Sequence, residues 1–155
     1  MILVSACLLG RNCKYNGSNN DNAAVRQALS GKDVVLVCPE VFGGLSVPRQ
    51  PCEIVGGDGQ SVLQGAARVV DSNGDDVTPA FIKGAEICLH IAQLNKCKKA
   101  ILKMRSPSCG TVQIYDGSFS GHLIPGDGVT AALLKNHGIE VLSEDEFVSE
   151  HGGSK

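Results

Sequence analysis

Three of the seven cysteines occupy the same kind of place in the sequence. Cys7 follows the apolar run at 2–6 (ILVSA), Cys38 follows the run at 34–37 (VVLV), and Cys109 lies just beyond the run at 100–104 (AILKM). Short apolar runs of this kind read as strands buried on both faces of a parallel sheet. Open α/β sheets bind ligands beyond the carboxyl ends of their strands. Three thiols distant in sequence are therefore expected at one sheet edge, on loops rich in Pro and Gly. A single free Cys is more often a small core residue, but that reading does not explain the shared placement. Thiolates are nucleophiles and soft metal ligands. Zinc sites draw on close pairs such as C-x-x-C, and the chain has none. Three Cys ligands with one position left open suit an iron–sulfur cluster whose remaining iron faces a substrate. Two other uses of the same thiols stay open. One is a non-catalytic metal or cluster carrier, and the other a metal-free thiol enzyme with Cys7 as nucleophile.

Groups able to move protons or hold a substrate stand beside these thiols. Glu40 comes two residues after Cys38 on the loop leaving a buried strand. Desolvation there raises a carboxyl pKa and suits it to general acid or base work; a loop salt bridge with Arg49 is the alternative. Ser106 and Ser108 precede Cys109, and their hydroxyls can donate to a substrate, orient water or close local turns. Lys103 and Arg105 are placed to stabilise an anionic cluster or substrate. Of the other cysteines, Cys88 reads as helix core and Cys97, between Lys96 and Lys98, as surface. Cys52 lies in a Pro-rich loop near the site, and Cys13 is close enough to Cys7 to reach the same edge. Cys7 is not followed by the Arg of a phosphatase Cys-x5-Arg loop, because position 13 is Cys. Asp71, Asn73 and Asp75 lack the Gly and Glu that complete a calcium loop.

The elements that must position these groups follow from pattern. A helix is expected over 21–30 and a long shaped loop over 39–59. Two short extended pieces over 66–77 should turn at Asn73-Gly74. A long helix should start with Thr78 as N-cap and Pro79 in its first turn. A hairpin should turn at Asp116-Gly117, a helix should run from Gly128, and a last strand should cover 139–142. Ser143 and Glu146 should form a capping box. Strands alternating with helices predict a single-domain three-layer α/β/α fold with a mainly parallel, Rossmann-like sheet and a short hairpin. It should span 1–150, with a frayed tail at 151–155.

At 155 residues the chain can bury a core without disulfide staples. A net charge of −2 and 4% aromatic residues lack the basic and stacking footprint of a nucleic-acid binder. No apolar run reaches the length of a membrane span. The apolar start has no basic region before it, so the reading is cytoplasmic rather than secreted.

VSACLLG, CPEVFGGLSVPRQPCE, LKMRSPSCG and the GDGVTAALL segment resemble the small bacterial domain family that contains the 2-thiouracil desulfurases; the blocks spread over 3–134. The resemblance implies an oxygen-sensitive 4Fe-4S cluster held by three cysteines, at matching positions Cys7, Cys38 and Cys109. It also implies a non-redox reaction in which the thio-sulfur of a thiolated pyrimidine-like substrate binds the free iron. Water then replaces sulfur at the ring carbon, leaving the oxo compound and sulfide. Glu40, Ser106 and Ser108 match the family's proton-transfer and recognition groups. Where the family often has Arg-Tyr-Asp-Gly, this chain has Lys14-Tyr15-Asn16-Gly17. A catalytic Asp there would make Asn16 a weakening or substrate-shifting change.

Overall fold

The computed structural model describes residues 1–151, the side chain of His151 excepted. Four short strands, β1 (Ile2–Ser5), β2 (Val34–Val37), β5 (Lys99–Leu102) and β8 (Glu140–Ser143), form a parallel sheet in the order β2-β1-β5-β8. Leu3, Ala100, Leu102 and Val141 face one core, where they meet Cys88 and Ala92 of α4 (Thr78–Leu94) and Ala131 and Leu134 of α5 (Val129–Asn136). Val4, Ile101 and Leu142 face the other, against Val25 of α1 (Ala23–Ala28) and Phe147 of α6 (Glu144–His151). The fold is thus the expected three-layer α/β/α arrangement. A third core joins β3 (Cys52–Val55), α3 (Gly59–Leu63), β4 (Arg68–Asp71) and β6 (Gln113–Tyr115) around Phe81. Phe81 and Phe147 are almost wholly buried, each contributing about 1.5–3 kcal/mol of apolar transfer. Among the described residues no helix is long and apolar enough to cross a membrane.

Several local expectations change. The stretch 39–59 is not one loop: it holds a one-turn helix, α2 (Pro39–Phe42), and β3, which pairs antiparallel with β4. The mixed Gly and Pro content masked both, since each is a single turn or a four-residue strand. Beyond the turn after Asp71, the second extended piece is only a bridge from Asp76 to Val70. Thr78 does not cap α4. Val77 is the N-cap, and the Thr78 hydroxyl instead accepts the Val69 N–H at 2.8 Å, tying the helix to β4. The hairpin pairs β6 with β7 (Leu123–Pro125) through a longer loop than a two-residue turn, because Asp116 N bonds His122 O at 3.0 Å. Cys97 is buried rather than on the surface; its two lysine neighbours snorkel outward while the small thiol turns in. The capping box forms: Glu146 Oε1 accepts Ser143 N–H at 2.8 Å and Ser143 Oγ accepts Glu146 N–H at 3.1 Å. The expected frayed tail lies outside the described residues, apart from His151, the last residue of α6.

α2 and α4 touch backbone to backbone. A Cβ on Gly84 would run into the Pro39 carbonyl, and one on Gly43 into the Ala80 carbonyl. This contact sets where α2 begins, and therefore where Cys38 and Glu40 stand. Gly84→Ala is expected to destabilise the protein by about 1–3 kcal/mol or more, the usual cost of overpacking. Urea unfolding should show it as a lowered midpoint with an unchanged slope.

Candidate active site

The carboxyl ends of β1, β2 and β5 open onto a cavity of about 600 Å³ whose wall includes Cys7, Cys38 and Cys109. Cys7 lies on the 3-10 turn at Ala6–Leu9 that follows β1. There the Asn20 amide donates to its sulfur at 3.5 Å, while Asn20 N–H holds its carbonyl at 2.9 Å. Cys38 is the N-cap residue of α2. Cys109 sits on a turn wound about one hydroxyl, since Ser106 Oγ accepts the N–H of both Ser108 and Cys109 at 3.1 Å. The same turn is clamped from outside. The N–H groups of Val129, Thr130 and Ala131 in the first turn of α5 donate to Pro107 O and Ser108 O at 2.8–3.1 Å, and Gly128 N–H donates to Gly110 O at 2.8 Å. These are helix donors that have no intrahelical partner, so the loop carries the helix cap. A Cβ on Gly128 would fall 2.5 Å from the Ser108 carbonyl carbon, which explains the glycine in GDGVTAALL.

Glu40 is half-buried, lines the cavity, and forms no ion pair with Arg49 among the described residues. The Arg49 guanidinium instead donates to Cys13 O at 3.1 Å and Ser46 O at 3.3 Å, fastening the 11–15 segment to the 46–51 segment. Ser106 faces the cavity. Ser108 does not: it is fully buried, 3.0 Å from Ser106 Oγ, and donates to Cys109 Sγ at 3.5 Å. Asn16 is exposed, accepts Ser18 N–H in a local turn and lies off the cavity wall.

The thiols differ electrically. Hydrogen bonding with Cys13, assisted by Asn20 and Lys103, draws Cys7 down to about 7 against the opposing effects of burial and Glu40. Cys13 also lowers Cys38, and its own thiol is pushed up by serving both. Burial pushes Cys109 well up, with hydroxyl donors Ser5 and Ser108 opposing, and burial raises Cys52 to about 11. All seven cysteines are free.

Sequence reasoning left Cys13 open; the structure seats it between Cys7 and Cys38, on the cavity wall. It missed Ser5, whose buried hydroxyl accepts Lys103 N–H at 3.0 Å and bonds the Cys109 thiol. A lone polar residue inside ILVSA was the available signal. It also missed Glu144, a buried carboxylate that pairs with Lys103 Nζ at 3.2 Å and accepts Met104 N–H at 2.7 Å. Nothing in the sequence around Glu144 marks it, because its partners come from the segment just beyond β5.

A family model described as 2-thiouracil desulfurase matches residues 2–146. The chain belongs to the 2-thiouracil desulfurase family. It is 49% identical over 147 residues to the uncharacterized protein YbbK of Bacillus subtilis (strain 168), covering 95% of this chain and 97% of that one. Its fold is similar to that of the 4Fe-4S-dependent thiouracil desulfidase TudS, with TM-score 0.79 and 41% identity over 93% of this chain and 90% of the other. All four sequence blocks that carry the family resemblance serve this cavity. Three supply its wall, and GDGVTAALL supplies the helix end that clamps the third.

Lys103 is the cation beside Cys7, and Glu144 is what holds it. Glu144→Ala is expected to cost about 1.5–3 kcal/mol, since it leaves the Met104 N–H without its acceptor and Lys103 without its counter-charge. Glu144→Gln, which keeps a carbonyl acceptor for Met104 N–H, should lose less. Denaturant unfolding of the two variants against the parent measures the difference.

Proposed function

We propose that this protein removes sulfur from a thiolated pyrimidine-like compound of the 2-thiouracil type, yielding the oxo compound and sulfide, with a 4Fe-4S cluster held by Cys7, Cys38 and Cys109. The observation that carries the reading is the convergence of three thiols from three separate loops, with Glu40 and Ser106, on one cavity. The donor set fits such a group. It is all sulfur, the ligand type that suits iron–sulfur centres. Among the described residues no three Cys, His, Asp or Glu side chains come together around a single ion. Hydrogen-bond donors from Asn20, Cys13, Ser5 and Ser108 reach the three sulfurs and favour their thiolate forms. When bound, the cluster supplies one iron with an open position, a Lewis acid for the substrate's sulfur.

The protein's own groups do the rest. Glu40, beside Cys38 and free of Arg49, takes a proton from the water that attacks the thiocarbonyl carbon and returns it as sulfide leaves. Ser106, on the cavity wall, borders the polar edge of the ring and can turn its hydroxyl from Ser108 to the substrate. Ser108 supports it from behind and donates to Cys109. Lys103 stabilises negative charge beside Cys7. A carrier using the same thiols would expose them. Here Cys109 is buried, Cys7 and Cys38 are half-buried, and the carboxylate shares their cavity.

Anaerobic reconstitution with iron and sulfide, followed by the assay of uracil and sulfide from 2-thiouracil, tests the reading. Cluster absorption with no product would favour the carrier. Cys7→Ser, Cys38→Ser and Cys109→Ser should each lose the cluster absorption, whereas Cys88→Ala and Cys97→Ala should retain it. Loss in Cys13→Ser with retention in Cys7→Ser would overturn the ligand assignment. Glu40→Gln should keep the cluster and slow turnover by about 10²–10⁴-fold, the range for a lost general acid or base. An unchanged rate would remove Glu40 from the proton path.

A further inference from the structure

Aromatic side chains are scarce in this chain, two Tyr and four Phe in all, yet Tyr15, Phe81, Tyr115 and Phe119 all stand on the wall of the thiol-bearing cavity. Phe81 is core. Phe119 is different: it is 38% exposed and sits at φ +58°, in the left-handed region that bulky residues adopt only when their surroundings impose it. Here a buried carboxylate imposes it. Glu53, on β3, also reaches the cavity wall, and its Oε1 accepts Gly117 N–H at 2.9 Å and Phe119 N–H at 3.1 Å. Asp116 closes the same loop from within by accepting Ser118 N–H at 2.9 Å. The β6–β7 loop is therefore held as a fixed wall. A strained, partly exposed aromatic residue on a cavity wall adds little to the core, and aromatic rings stack with planar ligands.

We propose that Phe119 recognises the substrate by stacking on its planar ring, and that Glu53 is the positioning residue that holds Phe119 in place. The inference rests on the desulfurase reading of the same cavity. It adds a selection for flat heterocycles over acyclic thiocarbonyl compounds, made by a loop outside the thiol-bearing strand ends.

The test compares cluster-loaded wild type with Phe119→Gly, Phe119→Tyr, Glu53→Ala and Glu53→Gln. It reads KM and kcat for 2-thiouracil, the Kd of uracil by equilibrium dialysis, and the melting temperature. Glycine suits a positive φ, so Phe119→Gly should melt no lower than wild type. Its KM and uracil Kd should rise by about 5- to 100-fold, the range for an aromatic partner lost from a stacked base, with kcat within about threefold on the same argument. Phe119→Tyr should restore binding. Glu53→Ala should weaken uracil as much as Phe119→Gly, and Glu53→Gln, which keeps an acceptor oxygen, should not. A uracil Kd in Phe119→Gly equal to that of wild type overturns the stacking role, and a wild-type Kd in Glu53→Ala overturns the positioning role. If wild type releases no sulfide, the desulfurase reading fails on its own, and the dialysis comparison still decides the role of Phe119. Absence of uracil binding by wild type overturns both.

Discussion

β1 hydrogen-bonds in parallel to β2 on one side and to β5 on the other, with Ser5 opposite Val37 and Val4 opposite Ile101. Because the three strands run the same way, the chain leaves all of them at one edge. The residues that follow, Cys7, Cys38 and the turn carrying Cys109, are delivered to neighbouring positions without any local sequence signal linking them. The register is not free to slip. Leu3 and Val4 face opposite cores, and a shift of one residue would exchange every side chain between the two helical layers. Core packing and site geometry are thus a single constraint.

Strand ends alone would leave floppy loops, and each thiol loop has its own fastening. The Cys7 turn is held by Asn20 and the Cys38 turn by backbone contact between α2 and α4. The Cys109 turn is held by the unpaired N–H groups of α5. The last is the most economical, because one set of hydrogen bonds both caps a helix and fixes a loop. Ser106 and Ser108 fit the same logic from inside, so residues that a motif reader would assign wholly to chemistry are partly structural.

The sheet, its parallel sense, the helices α4 and α5 and the edge where the thiols meet were legible because each rests on period and composition, which are local in sequence. The strand at Val34–Val37 and the Ser143–Glu146 capping box were read at the residue level for that reason. What escaped was decided by partners far away. β3 exists because Ile54 and Val69 pair across a turn-rich segment, and Thr78 gave up its capping role to a strand backbone. Glu144 and Glu53 are acidic residues with nothing unusual beside them, and only the fold shows that they clamp Lys103 and Phe119. Cys13 was doubtful in sequence because six residues of loop can fold either way. Arg49 settles it by gripping its carbonyl.

The electrostatics of the cavity work against the metal-free protein. Burial first, and the Glu40 charge second, oppose thiolate formation at Cys7, Cys38, Cys52, Cys88 and Cys109. The chain answers the conflict selectively. Cys7 and Cys38 are drawn down by Cys13 and further donors, and Cys109 is given two hydroxyls. Burial raises Cys52 and Cys88, and no side-chain hydrogen bond opposes it; only the Arg49 charge does so at Cys52. The thiols that side-chain donors reach are the three at the strand ends. In the proposed reaction, the carboxylate beside them is the group that would carry a proton to and from the attacking water.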